Sequence, residues 1–250
     1  MRVCIVIPMH NEAAVAERCV RTVMSHVHTL PAPTTLLVVD DGSRDATSDI
    51  LRRMRNEMGD SLHCITHSTN RGYGAALRTG MHYVVNDGYD YVIFMDSDLT
   101  NHPRYLTLFY GKMDEGWDYI KASRYIRDGA AVGVPRLHQF LSRWGNRVAH
   151  ILYGIPIHDC TNGFRAVRVT LLQQMQLQES GFPIIMEELA AAKALGASFC
   201  EIPYTLTSRA ADEGTSHLSY GPRTWRPYLK YAWTAARIPY HPKQPNSSTV

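Results

Sequence analysis

The feature that most constrains this chain is the alternation, through its first half, of short apolar runs with longer stretches of helical periodicity. Val3 to Ile7, Leu36 to Val39, Leu62 to Ile65 and Tyr91 to Met95 have strand length and a mostly apolar make-up. Between them, Ala13 to Val27 places Val15, Cys19, Val20 and Val23 at helical spacing, and Asp45 to Met58 and about Gly74 to Val85 carry similar patterns. A strand covered on one face alternates apolar and polar residues; a strand covered on both faces does not. The pattern therefore predicts an α/β fold, a mostly parallel central sheet covered by helices. Ligands of such sheets bind just beyond the carboxyl ends of the strands, so the residues that follow each run are the ones to read for chemistry.

Composition narrows the field by exclusion. Of 250 residues, 45% are hydrophobic and 20% charged, which rules out a disordered or collagen-like chain. No window approaches the roughly 18 apolar residues of a membrane span; the best stretch, Ala149 to Ile157, is broken by His150 and by Gly154-Ile155-Pro156. The apolar run at the N-terminus is too short for a signal peptide. A net charge of +3 is too mild to argue for nucleic acid. Five scattered cysteines with no CxxC pair predict free thiols in a reducing cytoplasm, with Cys4 and Cys200 as small core residues.

Polar and acidic residues gather after each strand: Pro8-Met9-His10-Asn11-Glu12, then Asp40-Asp41-Gly42-Ser43-Arg44-Asp45, then Asn70-Arg71-Gly72-Tyr73-Gly74, then Asp96-Ser97-Asp98. Two carboxylates two residues apart on an extended turn, Asp96 and Asp98, can both reach one hard cation such as Mg²⁺ or Mn²⁺, which prefers oxygen ligands and completes its shell with phosphates. In Asp40-Asp41-Gly42-Ser43, turn formation and capping by Ser43 or Asp45 explain the small residues. They do not explain two adjacent acids, one of which can accept from a base or a ribose. The Gly72 and Gly74 segment lacks the third glycine of a dinucleotide fingerprint and reads as close helix–strand packing beside the site.

Taken in order, these segments resemble family-two inverting glycosyltransferases of the GT-A fold. Later segments, Ala122-Ser123-Arg124-Tyr125, Asp159-Cys160-Thr161-Asn162-Gly163-Phe164-Arg165-Ala166 and Glu201-Ile202-Pro203-Tyr204 followed by Arg209 and Gly214-Thr215-Ser216-His217, are similar to those of dolichol-phosphate mannosyltransferases and related polyprenyl-phosphate sugar transferases. The resemblance runs from residue 2 to about residue 220. It implies that Pro8, His10, Glu12, Val39 and Asp41 line a nucleoside pocket, that Asp96 and Ser97 border ribose and diphosphate, and that Asp98 ligates the metal. It further implies that Arg124, Arg209 and His217 face phosphates, and that Asp159, Asn162 and Arg165 lie on the acceptor side. The family often carries a glutamine ligand two residues past the acid pair, where this chain has Thr100; His10 stands at a usually aromatic position and His217 at a common lysine.

The implied reaction moves a hexose, mannose first, from a GDP- or UDP-sugar to a polyprenyl phosphate. Asp98, Arg124 and Arg209 would stabilise the leaving diphosphate. A lipid phosphate is already an anion and needs positioning rather than a base. A soluble or saccharide hydroxyl acceptor would need a base, for which Glu187 and Glu188 are the candidates; both also read as helix N-terminal acids. A nucleotide-sugar-binding module without catalysis and a nucleotidyltransferase stay open at this stage. His138, His150 and His158 form no metal spacing. Residues 1–217 read as the transferase domain. Residues 218–250, basic, aromatic and free of acids, read as a possible interfacial helix from Pro222 to Arg237 that gives peripheral membrane contact, or as a helix packed on the domain, with a frayed end.

Overall fold

A computed structural model describes residues 1–207 and 222–245. Its elements run β1 (Val3–Met9), α1 (Ala16–Val27), β2 (Thr34–Asp40), α2 (Thr47–Met58), β3 (Leu62–Thr66), α3 (Tyr73–Asn86), β4 (Tyr91–Phe94), α4 (Leu106–Asp114), β5 (Tyr119–Ser123), β6 (Ala130–Ala131), α5 (Arg136–Tyr153), β7 (Arg165–Arg168), α6 (Val169–Leu172), α7 (Ile184–Ala194), β8 (Phe199–Pro203), β9 (Thr205–Leu206) and α8 (Pro222–Ala236). Seven strands form one sheet in the order β3-β2-β1-β4-β7-β5-β8. All neighbours are parallel except β7, which runs antiparallel to β4 and β5. β6 and β9 pair as a small second sheet.

Every residue of β1 is buried, because the sheet is covered on both faces. Val3, Ile5, Ile7 and Met9 pack toward α1, α2 and α4, whereas Cys4 and Val6 pack toward α3, the two-residue period of a strand turned into two cores. α8 packs against α5 and α7, with Tyr228, Ala232 and Ala235 buried. β1 lies where strand order reverses, with β2 on one side and β4 on the other. That reversal opens a crevice at the strands' carboxyl ends. All five cysteines are free; Cys4 is buried and Cys200 is partly exposed.

Candidate active site

At the end of β4 the chain turns through Asp96, Ser97 and Asp98. Leu99 adopts a left-handed backbone, φ 56°, which doubles the chain back so that the Thr100 N–H and hydroxyl donate to Asp98 Oδ1 at 3.0 and 2.7 Å. Asp96 accepts from the Tyr73 hydroxyl at 3.2 Å and from Asn101 Nδ2 at 2.9 Å. Shielding from water, and then the neighbouring Asp98 charge, push the Asp96 carboxyl up to about 6. Two carboxylates thus stand together in a partly dry turn.

The acids after β2 are placed otherwise. Asp41 Oδ1 accepts from His67 Nδ1 at 2.6 Å and from the Arg71 N–H at 2.9 Å, while Oδ2 accepts from the Gly72 N–H at 2.7 Å. Asp40 accepts from the Ser43 N–H at 3.0 Å and from the Ser48 hydroxyl. The β1 and β2 loops are laced together: the Asn11 N–H donates to Ser43 Oγ and the Glu12 N–H to Thr47 Oγ1, both at 2.9 Å. Asp45 accepts from the Thr47 N–H at the start of α2. The glycines expected to bring helix and strand together instead bring α3 onto the loop before α7: the Gly74 N–H donates to Ser180 O at 2.7 Å, and a Cβ at Gly74 would sit 2.4 Å from Glu179 O.

The loop before β7 is pinned from below. Lys121 and Arg165 are register neighbours on β5 and β7, both fully buried. Lys121 Nζ donates to Asn162 O at 2.6 Å and Arg165 Nη1 to Gly163 O at 2.7 Å, so two consecutive carbonyls turn inward onto two cations. Burial, and then the Arg165 charge, lower the Lys121 ammonium to about 8. Burial works against the Arg165 charge too, but Glu188 offsets it through bonds of 2.5 and 2.6 Å, and Tyr119 donates to Glu188 at 2.7 Å. Arg124 grips the buried Asp159 through Nε and Nη2 at 2.7 and 2.8 Å. At Gly163 a Cβ would lie 3.1 Å from Tyr73 Oη and 3.3 Å from Asp96 Oδ2, so glycine lets the loop come up against the acid turn.

These segments enclose a cavity of about 780 Å³. Pro8, His10, Glu12, Asp41, Asp96, Ser97, Asp98, Arg124 and Asn162 line it together. Val39 does not: its side chain is wholly buried in the core on the α3 side. Asp159, Arg165, Glu187 and Glu188 are also absent from the wall. Asp159 and Arg165 work beneath it through Arg124 and Glu188, and Glu187 accepts the Gln178 and Glu179 N–H groups at about 3 Å. Arg209 and His217 lie outside the described residues. Tyr73, Asn101, Asn146, Gly163 and Phe182 line the cavity without having been singled out as site residues. The one sequence signal among them was the aromatic set between Gly72 and Gly74: its ring stacks on Phe182 at 4.6 Å.

Among the described residues, no group of three or more His, Cys, Asp or Glu gathers as a metal site. His150 and His158 stack at 4.5 Å but bond to Ile157 O and Glu201. Asp96 and Asp98, both on the cavity wall, are hard oxygen donors of the kind that fit Mg²⁺ or Mn²⁺ with water and phosphate completing the shell.

The sequence matches the model of Glycosyl transferase family 2 over residues 4–175. The chain belongs to this family. It is a glycosyltransferase, and the α/β, GT-A reading of the strand pattern holds. A polyprenol monophosphomannose synthase of Mycolicibacterium smegmatis is 29% identical over 221 residues, covering 87% of this chain and 81% of the relative. An undecaprenyl-phosphate mannosyltransferase of Micrococcus luteus is 27% identical over 224 residues, covering 88% and 89%. Among solved structures, the glucosyl-3-phosphoglycerate synthase of Mycobacterium tuberculosis in complex with Mn²⁺, UDP and phosphoglyceric acid superposes with a TM-score of 0.66 at 19% identity, covering 95% of this chain and 79% of that one. At that identity the likeness is one of fold.

Proposed function

We propose that this glycosyltransferase moves a hexose, mannose first, from a GDP- or UDP-sugar to a polyprenyl phosphate, with inversion at the anomeric carbon. The observation that carries this reading is the acid turn, Asp96 and Asp98 facing one cavity that the β1 and β2 loops close on the other side. Pro8, His10, Glu12 and Asp41 form the nucleoside side, where the His10 ring is held by Nδ1 against Asp41 O at 2.9 Å. Asp96, Ser97 and Asp98 border the ribose and diphosphate. Mg²⁺ or Mn²⁺ on Asp96 and Asp98, when bound, supplies charge neutralisation for the leaving diphosphate. Arg124, fixed by Asp159, presents its remaining guanidinium edge to phosphate oxygens; Arg209 and His217 are proposed to add to it. Asn162, on the pinned loop, faces the acceptor.

A phosphate acceptor is supported by what the carboxylates do. Glu187 and Glu188, the bases a hydroxyl acceptor would call on, are engaged away from the cavity, and a phosphate nucleophile at neutral pH needs neither. The names of the two relatives support polyprenyl phosphate and mannose. No helix among the described residues is long and apolar enough to cross a membrane. The lipid-phosphate acceptor proposed here and the free thiols support a peripheral position at the cytoplasmic face.

The test is nucleoside diphosphate release from a panel of nucleotide sugars with Mn²⁺ or Mg²⁺, with and without a short polyprenyl phosphate, for wild type and Asp98→Ala. Release requiring one donor, the prenyl phosphate and Asp98 is expected. Release indifferent to the prenyl phosphate would move the acceptor to a soluble compound. Nucleotide binding with no release would leave a binding module.

A further inference from the structure

α5 does three different things on three sides. Successive helical residues are about 100° apart, which puts Leu137, Phe140, Leu141, Trp144, Val148 and Ile151 within an arc of roughly 100°. Each is between 41 and 68% exposed. Opposite them, Asn146, Ala149 and Tyr153 are buried against the domain. On one flank of the stripe stand Arg136, Arg143 and Arg147, all exposed. On the other, His138, Ser142 and Gly145 form part of the cavity wall.

α8 continues the pattern. Leu229 and Trp233, one turn apart, are 52 and 59% exposed, and Arg226 and Lys230 are exposed beside them. Val148 and Leu229 meet in an apolar groove of about 170 Å³ between the two helices, so the two stripes are one surface. It carries eight of the eleven exposed large apolar side chains found among the described residues. A patch of that size is not what a freely soluble surface presents.

We propose that the outer faces of α5 and α8 form a single docking surface for an anionic bilayer leaflet. The charge decides the occupant. Neither helix contains an aspartate or glutamate, and none occurs anywhere from residue 218 to residue 250. A second copy docking face to face would set these arginines against one another with no acid on either helix to pair them. Anionic headgroups pair with them while the apolar stripe enters the acyl boundary. Resting on the acceptor reading above, this surface borders the cavity wall, so that a lipid phosphate reaches the acid turn while its chain stays in the bilayer.

The experiment is co-sedimentation of the whole chain with phosphatidylcholine vesicles, with and without phosphatidylglycerol. Wild type is compared with the double variant Leu137→Glu, Trp144→Glu and the triple variant Arg136→Gln, Arg143→Gln, Arg147→Gln. Circular dichroism checks the fold, which exposed positions should preserve. Wild type is expected to partition onto the anionic vesicles about tenfold better than onto neutral ones, and less as salt is raised. The double variant is expected to lose binding to both, and the triple variant to lose the anionic preference. Equal vesicle binding by wild type and the double variant, or no binding by wild type, overturns the proposal. A concentration-dependent dimer, seen by sedimentation velocity and abolished by the double variant, overturns it in favour of a second copy. Transfer to a short, water-soluble prenyl phosphate keeps the two readings apart. The double variant should retain that transfer and lose about tenfold in rate on long-chain acceptor in vesicles. Vesicle binding without transfer to any prenyl phosphate would sink the acceptor reading and leave the docking surface standing.

Discussion

Two acid pairs stand at the carboxyl ends of nearby parallel strands, Asp40 with Asp41 after β2 and Asp96 with Asp98 after β4, and they are used in opposite ways. Asp41 is closed by two backbone N–H groups and an imidazole, and is 3% exposed. It ties the β2 loop to the start of α3. Asp96 receives a phenol and an amide, and among the described residues no cation is hydrogen-bonded to it; Asp98 accepts from Thr100. Burial, and then the Asp98 charge, keep the Asp96 carboxyl raised. Asp41, met by three donors of its own chain, holds its loop in place at the cavity wall, whereas the Asp96 carboxylate beside Asp98 in a partly dry turn is a place where a cation is favoured.

Substitutions can break that contrast. Asp98→Ala is expected to lower diphosphate release by about a thousandfold, with a urea midpoint close to wild type. Asp41→Ala should do the reverse to stability: with the Arg71 N–H and His67 Nδ1 deprived of their acceptor, and the Gly72 N–H left with Asn70 Oδ1 alone, unfolding free energy falls by about 3 kcal/mol in urea titration. An Asp41→Ala protein as stable as wild type would erase the distinction. Gly163→Ala puts a methyl 3.1 Å from Tyr73 Oη and 3.3 Å from Asp96; a loss of about tenfold in kcat is expected at unchanged stability.

The pH dependence sharpens the comparison. Asp96 is held near 6, above its ordinary value of 3.8. Its protonated form therefore favours the fold; that contribution is present at low pH and is lost as pH rises from 3.8 toward about 6. Asp96→Asn should accordingly be more stable than wild type at pH 7, by about 2 kcal/mol, and less active. Asp98→Asn removes one of the two causes, so carboxyl ¹³C titration should find Asp96 shifted down. Smallest of all, Glu187→Gln should leave transfer within about twofold of wild type, because that side chain holds the 178–179 backbone rather than a substrate.

Much of the first half was legible because its cause is local. β1 to β4 and α1 to α3 end within a few residues of where apolar runs and helical spacing put them, since a strand buried on both faces must read as continuously apolar. The acids at their ends were legible for the same reason. β7 was not. Arg165-Ala166-Val167-Arg168 looks like no buried strand, and it is one because Glu188 and Asp118, distant in sequence, meet its two arginines. Glu187 and Glu188 read either as bases for a hydroxyl acceptor or as helix N-terminal acids, and the sequence could not choose for want of that same partner information. Tyr73 was hidden between two glycines that read as packing; its reach to Asp96 depends on the angle at which α3 enters. Helical spacing in α5 is visible in the sequence, but which side the domain covers is decided only by α7 and α8.

That division of α5 into a core side, a cavity side and an outer side has a consequence for its length. Inserting one residue in the middle would rotate everything after it by about 100°, swinging the Arg147 flank toward the apolar stripe and Asn146 away from Thr161, to which its amide donates at 3.0 Å. Side chains on the outer face can be exchanged one at a time, whereas adding or deleting a single residue scrambles all three sides together. The helix is free in its spelling and strict in its count.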